Sequence, residues 1–151
     1  MQDISHRLRN LVELLNSRLP ELPETELVYT PGPGRWSKKE ILGHLIDSAM
    51  NNHRRFVMSQ LGPEPLLITP YEQREWVALA RYQFTPNLEL LNLWTLLNKQ
   101  IARLLENLPS TAAAQRCEFD NGYSVTLSWL AEDYVMHLEH HVQQILNPVS
   151  Y

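Results

Sequence analysis

Four stretches of this chain carry apolar residues at the three-and-four spacing of an amphipathic helix, and each one is cut off by proline or glycine. That pattern restricts the choice of fold. The first stretch covers residues 3–19, with Ile4, Leu8, Leu11, Leu15 and Leu19 in one stripe and His6 well off it. "LPELPETELVYTPGPG" then forbids continuation as helix. The second opens at "SKKE", where Ser37 as N-cap and Glu40 three residues later form a capping box, and runs to about residue 60, before "LGPEP". The third starts at "TPNLE" with Thr85 as cap and Pro86 at the first helical position, continuing through Leu90, Trp94, Leu97, Ile101 and Leu104. The fourth begins near Thr126 and stops before Pro148. Together these predict an all-α fold, a four-helix bundle occupying residues 1–151 as one domain.

Two connections are long. Residues 61–84 predict a short helix around "YEQREWVAL", and a crossover of that length lets the second and third helices run parallel. Residues 109–125 contain "DNG", which predicts a small hairpin between "RCEF" and "YSV".

Bulk properties exclude several functions. A 44% hydrophobic, 20% charged composition is that of a globular chain and not a disordered one. The net charge is −4 and the basic residues are scattered, which argues against nucleic acid as a partner. No stretch approaches the roughly 20 apolar residues of a membrane span. One cysteine, Cys117, cannot form an internal disulfide, so a reducing, cytoplasmic setting is expected and Cys117 reads as structural. Trp94 and Trp129 sit on heavily apolar helices and are expected in the core or at an interface between copies.

The residues that carry chemistry are in "HLEHHVQQI". His137 and His141, four apart, share a helix face and their imidazoles can converge on one cation; His137 and His140 are a geometric alternative. The apolar stripe of the fourth helix, Leu127, Leu130, Tyr134, Leu138, Val142 and Ile145, turns His137 and His141 inward and favours that pair. A zinc site needs a third or fourth ligand. The second helix offers His44 and His53, which lie on opposite faces. The apolar face of Leu42, Leu45, Ile46, Ala49 and Phe56 includes His53, whereas His44 belongs to a polar strip with Ser37, Glu40, Asp47 or Ser48, Asn51 and Arg55. That strip is either solvated or the wall of a cleft. No glutamate stands in the second position of an HExxH motif.

"RWSKKEILGHLIDSAMNNHRRF", "PYEQREWVALARY" and "TLSWLAEDYVMHLEHHVQQI", in that order and spacing, resemble the DinB-like, YfiT-type metal-dependent bundle proteins. The resemblance covers residues 36–145. It implies a bundle of up-down-down-up order, often a homodimer, with a divalent ion (zinc, nickel or ferrous iron) held by His44, His137 and His141. The polar strip then becomes cleft lining, and His53 packs elsewhere.

Three neutral imidazoles leave open positions on such an ion for water or substrate. Activated water would give a hydrolase, and a low-molecular-weight thiol held as thiolate would give a thiol transferase; in either case the partner is a small molecule. Asp47, Asn51 and Asp133 are the expected supports for the imidazoles, and Tyr71, Gln73 and Trp76 the expected cap of the cleft. The missing general base leaves open a non-catalytic metal- or ligand-binding stress-response protein.

Overall fold

A helix starts at Ser37 because its hydroxyl accepts the Glu40 N–H while the Glu40 carboxylate accepts the Ser37 N–H, the reciprocal box that the sequence predicts. The computed structural model describes residues 1–148. Along it run α1 (Gln2–Arg18), α2 (Glu24–Leu27), α3 (Lys38–Leu61), β1 (Leu66–Ile68), α4 (Gln73–Ala80), α5 (Asn87–Glu106), β2 (Arg116–Phe119), β3 (Ser124–Thr126) and α6 (Leu127–Leu146). The four long helices, α1, α3, α5 and α6, form the expected bundle, and the order is up-down-down-up. Their inward stripes merge into one core that includes Leu8, Leu15, Leu45, Phe56, Trp94, Ile101, Leu138 and Ile145.

Side chains fix how the helices sit against one another. Arg7 on α1 forks onto Glu139 of α6 through Nε and Nη2, both at 2.9 Å, and reaches Glu132 with Nη1. Arg9 forks onto Glu106 of α5 at 2.8 Å. Inside, the Tyr134 hydroxyl donates to Asn98 Oδ1 at 2.6 Å, and the Asn98 amide donates to the Trp94 carbonyl at 2.9 Å, tying α6 to α5 through buried polar groups. Tyr134→Phe leaves the Asn98 oxygen buried without its donor. A loss of about 1–3 kcal/mol is expected, read as a lower urea midpoint at unchanged slope.

Some elements differ from expectation. Helix α5 begins after Pro86, not after Thr85: Pro86 keeps an extended ψ of 137°, and no side chain caps the end. The hairpin predicted around "DNG" is present, β2 pairing antiparallel with β3 and Gly122 taking a φ of +80° at the turn. To it the fold adds β1, parallel to β2 with Leu66 opposite Cys117. Trp94 is fully buried in the core, whereas Trp129 is 43% exposed, its ring edge-on to Phe119. Among the described residues no helix is long and apolar enough to cross a membrane.

One feature of α3 positions the histidine cluster. From residue 41 to residue 49 it is buried on all sides. The face opposite its apolar stripe is covered by α6 and by Tyr82 of the turn after α4. Tyr82 lies over Gly43 so closely that a Cβ on that glycine would fall 2.0 Å from the ring. The polar strip of α3 is therefore interior.

Candidate metal centre

His44 sits on that covered face, 1% exposed. It meets His137 and His141, one turn apart on α6, and their ligand nitrogens all lie within 4.8 Å of one another. His44 Nε2 and His137 Nε2 are 3.0 Å apart. A tetrahedral ion held at about 2.0–2.1 Å from each imidazole would space its donors by about 3.3 Å, so the donor set fits such an ion with small side-chain movement. His140 is exposed, and neither it nor the half-buried His53 joins the cluster. His6 is exposed on α1.

Burial holds these rings in the neutral form that a metal requires. It pushes His44 down to about 4, helped by the neighbouring His141. It pushes His137 down to about 3, helped by His141, His44 and His140. His141 is lowered for the same first reason, offset in part by its bond to Gln144. Two contacts orient the rings. His141 Nδ1 lies 2.9 Å from Gln144 Oε1, an acceptor, so Nδ1 carries the proton and Nε2 keeps its lone pair. The Trp36 ring lies against His44 at 4.9 Å between centroids, with the Arg74 guanidinium over the indole at 6.0 Å from its centroid.

The supports expected from sequence are distributed otherwise. Asp47 is buried, 2% exposed, but its Oδ1 accepts from the Tyr82 hydroxyl at 2.6 Å and its Oδ2 has no hydrogen-bond partner. Burial raises its pKa. Asn51 donates to the Asp47 main-chain carbonyl at 2.9 Å and faces a separate recess shared with Trp76. Asp133 is exposed on the wall of a cavity of about 260 Å³ that also contains His137. Tyr71 and Gln73 line the same cavity. Trp76 packs against Tyr71 at 5.0 Å between centroids with the rings tilted by 56°, is 39% exposed, and lines the recess shared with Asn51 instead of this cavity. Burial and the nearby Asp47 charge push Tyr71 up to about 12, which keeps its hydroxyl a donor at neutral pH.

Sequence reasoning misses Gln144 and Trp36. Gln144 has a local signal, since it follows His141 by three on the same helix face. A second cavity, of about 480 Å³, holds His141, Gln144, Trp36 and Arg74 in its wall. The histidine cluster thus lies between two cavities, with His137 facing one and His141 the other.

The DinB superfamily family model matches residues 7–145. This chain belongs to the DinB superfamily. Among its DinB relatives, YfiT of Bacillus subtilis is 25% identical over 152 residues, covering 96% of this chain and 78% of that protein. The solved structure of YfiT, described as a probable metal-dependent hydrolase with an unusual four-helix bundle topology, overlays with a TM-score of 0.85 at 25% identity, covering 95% of this chain and 82% of the other. A relative from Halalkalibacterium halodurans, named "putative metal-dependent hydrolase", is 26% identical over 147 residues, covering 95% of this chain and 85% of its own. A mycothiol-dependent maleylpyruvate isomerase shares the fold with a TM-score of 0.74 at 14% identity, covering 95% of this chain and 59% of that one.

Proposed function

We propose that His44, His137 and His141 hold one divalent ion and that this DinB-superfamily chain uses it to act on a small molecule bound in the cavity beside His137. The observation that carries the reading is the convergence of three ligand nitrogens, from two helices, within 4.8 Å of one another. Its relatives bear metal-dependent hydrolase names, which supports the same reaction class.

When bound, the ion supplies Lewis acidity and lowers the pKa of a coordinated water or thiol. The protein does the rest. Gln144 fixes the His141 tautomer, Trp36 shields His44 from water, and the Tyr71 hydroxyl and Gln73 amide offer hydrogen bonds to a substrate in the cavity. Hydrolysis is the first reading. Transfer of a low-molecular-weight thiol is the second, favoured by one observation: cavities on both sides of the cluster provide room for two reactants. Thiol consumed in step with an electrophile separates transfer from hydrolysis. A homodimer in the cytoplasm completes the proposal. The free, buried Cys117 thiol is consistent with a reducing compartment.

The test is elemental analysis of protein purified without a histidine tag. One zinc, nickel or ferrous ion per chain is expected in the wild type, falling to a small fraction in His44→Ala. A wild type that takes up no metal after incubation with each of these ions would sink the reading.

A further inference from the structure

The cavity beside His137 contains a charge that the metal centre does not use. Arg55 lies eleven residues beyond His44 on α3, about 16 Å along the helix axis. Its guanidinium has five N–H donors. Among the described residues it finds only Asn52 Oδ1 at 3.4 Å and the Thr69 carbonyl at 3.3 Å, both long and both neutral. Among the described residues, no carboxylate lies within ion-pair distance of it, whereas Arg7 and Arg9 are each forked onto one.

This arginine is placed. The Asn52 side chain is buried, and its amide donates to the Ser48 carbonyl at 3.0 Å, which leaves Oδ1 to steady the guanidinium. Burial pulls the Arg55 pKa down, and Tyr71 and Asp133 pull it back up. A half-buried cation held by neutral acceptors lacks the partner that its desolvation calls for.

We propose that Arg55 is the anchor for a carboxylate on the substrate, so that the cavity takes a small carboxylic acid whose reacting group lies at the His137 end. This rests on the metal-dependent reading above and names the class of its substrate. A planar carboxylate matches the guanidinium fork with two parallel bonds. Asp133, also on the cavity wall, acts on Arg55 through space without pairing with it, so the guanidinium fork stays open to a carboxylate. Ile68, Pro70 and Phe119 supply apolar wall for a short carbon chain between the two ends. The volume, about 260 Å³, lies below that of pockets for drug-sized ligands, which limits the substrate to a small acid.

The test titrates glutarate, and separately its uncharged diamide, into chelator-treated protein by calorimetry. Wild type, Arg55→Met, Arg55→Lys and His137→Ala are compared, each with its fold checked by circular dichroism. Glutarate is expected to bind wild type at one site. Its affinity should fall about ten-fold or more in Arg55→Met, with Arg55→Lys in between because it keeps the charge and loses the fork. The diamide should bind at least ten-fold more weakly than glutarate. His137→Ala should keep glutarate binding while its metal content falls, so the anion site and the metal centre stand or fall separately. Equal glutarate affinity in wild type and Arg55→Met, or binding lost only in His137→Ala, would overturn the assignment. Equal binding of the diamide would do the same. Arg55→Lys gives the answer if Arg55→Met does not fold.

Discussion

Gly43→Ala is expected to destabilise the protein by about 3 kcal/mol, although alanine is the better helix former by about 1 kcal/mol. The reason is Tyr82. The added methyl would sit 2.0 Å from Cδ2 and 2.2 Å from Cγ, in the body of the ring and not at a flexible tip. The ring cannot swing aside freely, because its hydroxyl is bonded to Asp47 and it is buried. Overpacking of this kind costs about 1–3 kcal/mol, and expelling the ring adds the loss of its burial. It also leaves Asp47, whose second oxygen already lacks a partner, without its one donor.

For a chain of this length the loss corresponds to a fall of roughly 6–12 °C in unfolding temperature, measured by calorimetry. The mechanism is checked in a Tyr82→Ala background. With the ring gone, Gly43→Ala should become neutral or stabilising; a penalty that persists undiminished would show that the ring is not the obstacle. Because Gly43 precedes His44, this close contact also sets how far the crossover turn settles onto the polar strip of α3.

How much of this was legible follows the range of the forces involved. The capping box at Ser37 is local, three residues long, and reads directly from "SKKE". The Thr126 cap, whose hydroxyl accepts from the Trp129 N–H, is local too. Helix α5 shifts by one residue because proline tolerates both helical and extended ψ, and the chain before it decides which. Strand β1 is three residues long, and its partner β2 lies some fifty residues later, so no nearby pattern marks it. His44 is the instructive case. A wheel sorts residues by hydrophobicity and assumes one wet face, whereas α3 has none between residues 41 and 49. Which neighbour covers a polar strip is a tertiary fact, and here only resemblance to a family carries it. Gln144 is the reverse: a local i,i+3 neighbour of His141 whose spacing marks it, although the sequence points to Asp47, Asn51 and Asp133 for support. Arg55 reads as one more polar residue until the structure places it on the cavity wall with, among the described residues, no carboxylate in ion-pair contact.

Zinc at a hundred times its dissociation constant is expected to raise the unfolding temperature of wild type by roughly 5–10 °C, since such occupancy adds about 2.7 kcal/mol to a chain of this size. The stabilisation arises because the three nitrogens converge only in the folded state, where one comes from α3 and two from α6. An unfolded chain retains the HxxxH pair but loses the geometry that brings His44 to it. His137→Ala should abolish nearly all of the shift, because it leaves two imidazoles, His44 and His141, and removes the ligand whose Nε2 lies 3.0 Å from that of His44. The comparison is made within each protein, loaded against chelated, so that any change in metal-free stability from the lost imidazole cancels. Replacing the exposed His140 by alanine is the control: it leaves the cluster intact and should retain the full shift. A shift of equal size in His137→Ala and wild type would place the zinc elsewhere and remove the three-histidine centre. A shift lost in His137→Ala and kept in His140→Ala would tie folding and metal to the same two helices.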